Sequence, residues 1–254
     1  MRILTVSEAL PSLAFRSAGP GGITRHLHLD RHEVIVDALP AGIEALVATG
    51  DLQSREVSTA NRLLGEAAAE QLRREMAPER LGVLLAGDFY TSEGANKLGT
   101  SGEVGDVWRA FAQDYRWTTG VLGNHDRLKE PVAGTTLLDG QVVEFDGLRI
   151  AGVGGIIGKA GRLLRRDLKS YLETLTEVLS REPHILVLHE SPAGDSPKFR
   201  GNPHITELLS LSSPTLVVCG HCRWPSPLRE LANGTQILNV DSRLCLLRAK
   251  LTAV

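Results

Sequence analysis

Five runs of apolar residues in this chain each end in a short polar cluster, and this recurrence restricts the fold more than any other feature. Most of the clusters contain a glycine directly before the polar residues; they are Gly50-Asp51-Leu52-Gln53, Gly87-Asp88, Gly123-Asn124-His125-Asp126, His189-Glu190 and Gly220-His221. In open α/β sheets, the ligand crevice lies outside the carboxyl ends of the strands. If these strands are neighbours, we expect the five clusters to converge on one crevice.

The remaining sequence alternates between strand and helix patterns in its first two thirds. Strands are predicted at residues 32–39, 43–49, 81–86, 117–123, 184–190 and 214–220, and helices at 58–76, 107–115 and 165–180. Hairpins are predicted at 142–155, around Asp146-Gly147, and at 235–249, whereas the Gly/Pro-rich segment 16–25 is predicted as a loop. This order favours an α/β fold built in layers with mixed sheets.

Composition excludes several classes of protein. With 254 residues, 42% of them hydrophobic, and a formal charge of −2, the chain is neither largely disordered nor a basic nucleic-acid coat protein. No apolar run approaches the roughly 20 residues that a membrane span requires. The three cysteines are odd in number, so they do not form a disulfide framework. We therefore expect a soluble cytoplasmic protein.

The five clusters also agree in their chemistry. Two aspartates, one asparagine and two histidines form a mixed oxygen and nitrogen ligand set, which suits Mn²⁺, Zn²⁺ or Fe better than Ca²⁺. Such a metal polarises a phosphoryl oxygen and activates water to attack phosphorus, and a histidine that is not a ligand can protonate the leaving group. Each cluster alone is a weak signal, but the five in this order predict a metal-dependent hydrolase of phosphoesters.

From about residue 43 to its end, the chain resembles the calcineurin-like metallophosphoesterases. That family has the pattern D-x-H, G-D, G-N-H-D/E, a lone His and G-H-x-H, and its order is matched here. The resemblance implies a four-layered α/β/β/α sandwich with two mixed β-sheets and two metals in the crevice. It also implies a phosphoesterase domain at 41–254, with residues 1–40 as an N-terminal extension packed on it.

For one of the two metal sites, the resemblance assigns a residue of this chain to every ligand position. The family's second metal is held by the bridging Asp, the Asn, the lone His and the first His of G-H-x-H, which are here Asp88, Asn124, His189 and His221. His125 is expected to stabilise or protonate the leaving group. Asp88, Asn124 and His125 are thus the expected catalytic residues, and Asn124 and His125 are also expected to contact the substrate.

The ligands of the first metal depart from the family pattern at two positions. Asp51 is present, but Gln53 replaces the His of D-x-H and Arg223 replaces the last His of G-H-x-H. Gln53 offers only a neutral carbonyl oxygen, and Arg223 cannot ligate a metal at all. We therefore expect one firm metal site and one weak or absent site. Arg223 is expected to bind the phosphate bidentately, the alternative being an ordinary surface salt bridge; Cys222 is an alternative ligand.

Two of these assignments have an alternative. In the first, MRILTVSEAL is the family's first strand, Glu8 takes the place of the first motif's Asp, and Asp51 belongs to the second motif. The intervals of 37 residues from Asp51 to Asp88 and 36 from Asp88 to Asn124 favour Asp51 as the first motif instead. A cluster of arginines is interpreted as the solvated start of the helix at 165–180, with a nucleic-acid contact as the alternative; it comprises Arg162, Arg165 and Arg166.

Two further functions compete with a hydrolase of small phosphorylated molecules or nucleotides. The loss of two ligands at one site is also expected of a degenerate family member that acts as a binding or scaffold protein. A nucleic-acid phosphodiesterase is the third hypothesis, although no residue pattern supports it; it would bind oligonucleotides with a steep salt dependence. The sequence leaves open the choice between monoester and diester, and the oligomeric state.

Overall fold

The computed structural model describes residues 1–57, 61–213 and 215–250. Within these residues, the helices are α1 (Leu64–Glu75), α2 (Gly105–Ala112), α3 (Leu168–Leu179) and α4 (Pro203–Ser210), and single 3₁₀ turns lie at Pro20–Gly22, Pro78–Arg80 and Glu93–Ala95. The strands are β1 (Ile3–Val6), β2 (Leu10–Ala18), β3 (Thr24–Val36), β4 (Ala45–Gly50), β5 (Arg55–Glu56), β6 (Leu81–Leu85), β7 (Gly102–Glu103), β8 (Trp117–Gly120), β9 (Asp126–Arg127), β10 (Thr135–Leu137), β11 (Gln141–Phe145), β12 (Leu148–Val153), β13 (Ile156–Ile157), β14 (Arg165–Arg166), β15 (Ile185–Leu188), β16 (Leu216–Cys219), β17 (Leu228–Glu230), β18 (Gln236–Asn239) and β19 (Arg243–Ala249).

Two large mixed sheets contain most of the strands. The first has the order β10-β8-β6-β4-β19-β3-β2-β5, with β1 beside β3, and the second has the order β11-β12-β15-β16-β18-β17. Strands β4, β6, β8 and β10 run parallel, as do β12, β15, β16 and β18. Two short pairs, β7 with β9 and β13 with β14, lie outside these sheets.

Three clusters of buried apolar side chains show how the layers pack. One joins α1 and α2 to the first sheet, and it includes Leu72, Phe111 and Val83. A second contains residues of both sheets, such as Leu84 and Val218, so the two sheets pack face to face. The third joins α3 and α4 to the other face of the second sheet. The layers therefore run helices, sheet, sheet, helices, and the predicted α/β fold with two mixed sheets is confirmed.

The predicted helices are present but begin or end at other residues. The helix expected at 58–76 begins at Leu64, and residues 58–60 of that prediction lie outside the described residues. The helix expected from 165 begins only at Leu168, because the Asp167 side chain accepts a hydrogen bond from the Ser170 amide (3.0 Å) and caps it. Residues 165 and 166 belong instead to β14, so their interpretation as the start of a helix is wrong.

The N-terminal residues add strands to the first sheet. Of residues 16–25, predicted as a loop, only 19–23 connect two strands, with a 3₁₀ turn at Pro20–Gly22; the rest is strand, because β2 continues to Ala18 and β3 begins at Thr24. Strand β3 then pairs with β19 in parallel, with His32 opposite Cys245. The division of the chain at residues 40 and 41 stays a prediction, but β1, β2 and β3 are continuous with the sheet of the rest of the chain.

The second predicted hairpin, at 235–249, is wrong. Strand β18 pairs with β16 and β17 in the second sheet, whereas β19 pairs with β3 and β4 in the first. The connecting residues Val240, Asp241 and Ser242 cross from one sheet to the other. Both strands are almost entirely buried, and the apolar pattern of a buried strand does not reveal which sheet it joins.

The first predicted hairpin, at 142–155, is confirmed as β11 and β12. Its turn residues, Asp146 and Gly147, have φ values of 51° and 80°, as the favoured two-residue hairpin turn requires. The Asp146 carboxylate accepts hydrogen bonds from Arg116 (2.9 Å) and Trp117 (2.8 Å), which fastens this turn to the first sheet.

None of the helices in the described parts of the chain is long and apolar enough to cross a bilayer.

Replacing Leu84 by Ala is expected to lower the free energy of unfolding by about 2–5 kcal/mol, because Leu84 is fully buried between the two sheets. The matched control is Leu211→Ala, since Leu211 is 80% exposed, and its change should stay within about 0.5 kcal/mol. Urea unfolding of both variants measures the difference. Equal stability of the two would contradict the packing of the sheets described above.

Candidate metal centre

The polar clusters that follow the strands meet in one crevice, and the turns that deliver them are tight. Asp51, Asp88 and His221 lie one to three residues after β4, β6 and β16. Their φ values are 52°, 57° and 66°, in the left-handed region that tight turns use. A Cβ on Gly220 would lie 2.2 Å from Asp51 Oδ2, and one on Gly123 would lie 2.1 Å from Asp88 Oδ1. Glycine is therefore required at both places for the polypeptide segments to come together.

The buried carboxylate of Asp126 fixes two of these turns against each other. It accepts hydrogen bonds from the backbone amides of Asp88 (2.7 Å), Phe89 (2.8 Å) and Gly123 (3.1 Å). In return, Asp88 Oδ1 accepts a hydrogen bond from the amide of His125 (2.8 Å). The side chains of Asp88 and of the residues after Gly123 are thus held in a fixed relation.

Asp88, His189 and His221 form a group whose ligand atoms all lie within 4.8 Å of one another. The Asn124 amide oxygen joins them, 3.3 Å from His189 Nε2, which is also 3.3 Å from Asp88 Oδ2. His189 Nδ1 lies 2.8 Å from the carbonyl oxygen of Ala86, which can only accept, so that nitrogen carries a proton. The arrangement suits a metal, because a neutral His189 then turns the Nε2 lone pair toward the other ligands.

The charges in the crevice are also those of a cation site. Burial alone would lower the pKa of His189, but the carboxylates of Asp88 and Asp51 raise it to about 10. Burial and the charge on His189 lower the pKa of His221 to about 4, so its ring is neutral and able to ligate. The carboxylates thus favour a positive charge at this point of the crevice, which is the charge that a divalent cation would supply.

Asp51 and Gln53 lie beside this group, in a cavity of about 510 Å³ that His221 also lines. Asp51 Oδ2 accepts a hydrogen bond from the backbone amide of His221 (2.8 Å). The Gln53 amide nitrogen is buried and has no hydrogen-bond partner within the described residues. Cys222, the alternative ligand, is not among the described residues that line this cavity.

Arg223 reaches the same cavity, but its guanidinium already has partners. Nη1 donates to the carbonyl oxygens of Asp241 (2.9 Å) and Ser242 (3.0 Å), and Nη2 forms an ion pair with Asp30. The surface salt bridge expected as the alternative for this residue is therefore present. A phosphate contact by Arg223 would have to share these bonds or replace them.

Asp241 is a residue of the cavity that the sequence reasoning missed. Asp241 lines the cavity together with Asp51, and its backbone bridges Gly50. Burial and then the charge of Asp241 raise the pKa of Asp51 well above its usual range. Asp241 is itself 8% exposed. It follows an apolar strand, as Asp51 and Asp88 do, so the pattern marks it as a candidate; the hairpin predicted at 235–249 instead put it between two paired strands.

His125 and Glu8, two further candidates from the sequence, lie in different places. His125 is half-buried, and its Nδ1 lies 3.3 Å from the Ser101 hydroxyl. Glu8, the alternative candidate for the first motif, lines a separate cavity with Trp224. Asp51 is thus the residue that joins the crevice, and the roles assigned to it and to the other candidate ligands stay predictions.

Comparison with known proteins gives one family and several similar folds. The family described as calcineurin-like phosphoesterase matches residues 38–222. The crystal structure of TT1561 of Thermus thermophilus is similar, with a TM-score of 0.52 and 15% identity over 79% of this chain and 90% of that one. At this identity the similarity supports the fold alone. No protein with a curated description matches this chain in sequence.

Two more solved structures are similar over part of their length. The NAD nucleotidase (NadN) of Haemophilus influenzae has 15% identity and a TM-score of 0.43, over 78% of this chain and 44% of that one. A hypothetical protein from Thermus thermophilus has 15% identity and a TM-score of 0.45, over 77% of this chain and 75% of that one. These TM-scores are too low to carry an argument about fold or function.

Replacing Gly123 by Ala is expected to weaken manganese binding roughly 10–100-fold, the range found when groups that orient metal ligands are removed. The new methyl group would collide with the Asp88 carboxylate and amide, at 2.1 and 2.5 Å, and displace them. Isothermal titration calorimetry with Mn²⁺ measures the change. The matched control is Gly105→Ala, whose methyl group meets only the side-chain ends of Glu103 and Arg109; equal affinities would show that Asp88 needs no such fixed position.

Proposed function

This chain belongs to the calcineurin-like phosphoesterase family, and we propose that it is a metal-dependent hydrolase of phosphoesters. The observation that carries the proposal is the convergence of Asp88, Asn124, His189 and His221, with His125 directly beside them in sequence. A divalent metal held by these residues, Mn²⁺, Fe or Zn²⁺, would polarise a phosphoryl oxygen and lower the pKa of water.

The residues of the chain have distinct roles in this proposal. Asp88, His189 and His221 hold the metal, and Asn124 contributes its amide oxygen. His125 is not a ligand; it contacts the substrate and protonates the leaving oxygen. The Ser101 hydroxyl, 3.3 Å from His125 Nδ1, orients the ring so that Nε2 is directed away from it.

A catalytic role explains these residues better than a scaffold role does. Asp88 and His189 are 2% and 0% exposed, and burying ionisable groups is costly unless they are paired or hold a metal. A protein that only binds a partner has no physical need to keep this set intact. The departures at Gln53 and Arg223 concern the first metal alone, so we propose one firm metal site and one weak or absent site.

The proposed substrate is a phosphorylated small molecule or nucleotide. The cavity of about 510 Å³ is of the size that binds small ligands. Its lining is charged near Asp51 and His221 and apolar at Phe15, Leu27 and Leu98. We propose a cytoplasmic location, because Cys219, Cys222 and Cys245 are all free thiols.

The first test measures bound metal and hydrolysis on the same manganese-loaded sample, using an aryl phosphomonoester and an aryl phosphodiester. We expect about one metal per chain, turnover of at least one ester, and loss of turnover on chelation. Asn124→Ala should lose both metal and turnover. His125→Ala should keep the metal and lose about 10²–10⁴-fold in kcat, because it removes the proton donor but no metal ligand.

The control variant for this test is His204→Ala, since His204 is exposed on α4. It should retain both metal and turnover. Trace turnover that is equal in the wild type, Asn124→Ala and His125→Ala would contradict the proposed enzyme. Absence of both metal and turnover would favour the scaffold function instead.

The number of metals tests the proposed loss of the first site. Restoring the family ligands with Gln53→His and Arg223→His together is expected to raise the manganese content from about one to about two per chain. The physical reason is that imidazole replaces a neutral amide and a permanent cation. Metal analysis after desalting measures the content, with Arg229→His as the control for losing an arginine elsewhere. Two metals in the wild type would contradict a weak first site.

A further inference from the structure

Arg165 differs from every comparable arginine of the protein. Within the described residues, it is the only half-buried arginine whose side chain makes no hydrogen bond or ion pair. Its neighbour Arg166 binds both oxygens of Asp139, at 2.6 and 2.7 Å. Arg223, the arginine expected to bind phosphate, is paired with Asp30. Among the half-buried arginines of the described residues, Arg165 is thus the one whose guanidinium can bind an anion without first losing a partner.

The strand pair that carries Arg165 is attached to the metal crevice at two points. The amide of Gly155 donates to the carbonyl oxygen of Leu122 (2.8 Å), two residues before Asn124. The amide of Ile157 donates to the Glu190 carboxylate (3.0 Å), which is next in sequence to His189. Ile156, between these two anchors, is the strand partner of Arg165. The position of Arg165 is therefore set by the segments that hold Asn124 and His189.

The side chain of Arg165 extends along the strand pair that is anchored to the crevice. It lies along Gly158, where a Cβ would be 3.4 Å from Arg165 Cδ and 3.8 Å from Nη1.

We propose that Arg165 binds the non-reacting phosphoryl oxygens of the substrate and is a specificity-determining residue of the site. Guanidinium matches two phosphoryl oxygens with two parallel hydrogen bonds, and a half-buried charge without a partner gains most from such a ligand. The inference rests on the proposed function, since it assumes a phosphoester in this crevice. It assigns to β14 the phosphate contact that the sequence places on Arg223.

Inorganic phosphate is the probe that tests the role of Arg165. Calorimetric titration of the manganese-loaded full chain is expected to give a phosphate Kd roughly tenfold or more higher for Arg165→Gln than for the wild type, as loss of a charged hydrogen bond implies. KM for the aryl phosphate should rise with it, and kcat should change less. Arg165→Lys should fall between the two, because it keeps the charge without the paired geometry.

The matched control is Arg166→Gln, which removes an adjacent guanidinium that is occupied by Asp139. It should leave the phosphate Kd unchanged, and all variants should retain the wild-type manganese content. An unchanged Kd in Arg165→Gln, an equal rise in Arg166→Gln, loss of manganese in Arg165→Gln, or no phosphate binding by the wild type would each overturn the inference. Phosphate binding through Arg165 without any hydrolysis by the wild type would contradict the proposed enzyme, and it would leave Arg165 as a phosphate-binding residue without a role in specificity.

Discussion

The buried carboxylate of Asp126 is the interaction on which the rest of the site depends. It gathers backbone amides from the turn after β6 and from the turn after β8, and so holds Asp88 against the segment that begins at Gly123. The two strands lie side by side in parallel, but pairing ends with the strands and cannot fix the turns beyond them. A single acceptor that serves both turns supplies the missing constraint, and Gly123 supplies the room for it.

Three carboxyl groups meet in the crevice formed in this way. Asp51, Asp88 and Asp241 face it from three strand ends, and burial together with the charge of Asp241 raises the pKa of Asp51. Such a site is stabilised by a cation, and the neutral ring of His221 is able to ligate one. The basic side chains nearby are not equivalent, because Arg223 is occupied by Asp30 whereas Arg165 makes no ion pair within the described residues.

The N-terminal strands belong to this architecture although the family match begins only at residue 38. Strands β2 and β3 bring Phe15, Leu27 and Asp30 to the wall of the cavity. Arg223 links this wall to the segment between β18 and β19, because it binds Asp30 and the carbonyl oxygens of Asp241 and Ser242. The arginine that replaces a family metal ligand therefore has a structural use in the present chain.

The sequence by itself determined the fold class, the family and the residues that converge. Apolar strands that end in Gly-Asp, Gly-Asn-His-Asp or Gly-His carry this information locally, since each cluster is adjacent to the strand that delivers it. Only the tertiary structure decided which sheet β19 joins, that Asp241 lines the cavity, and which arginine is paired. These depend on contacts between residues far apart in the chain, such as Arg223 with Asp30 and Gly50 with Asp241, and a local pattern contains no information about such partners.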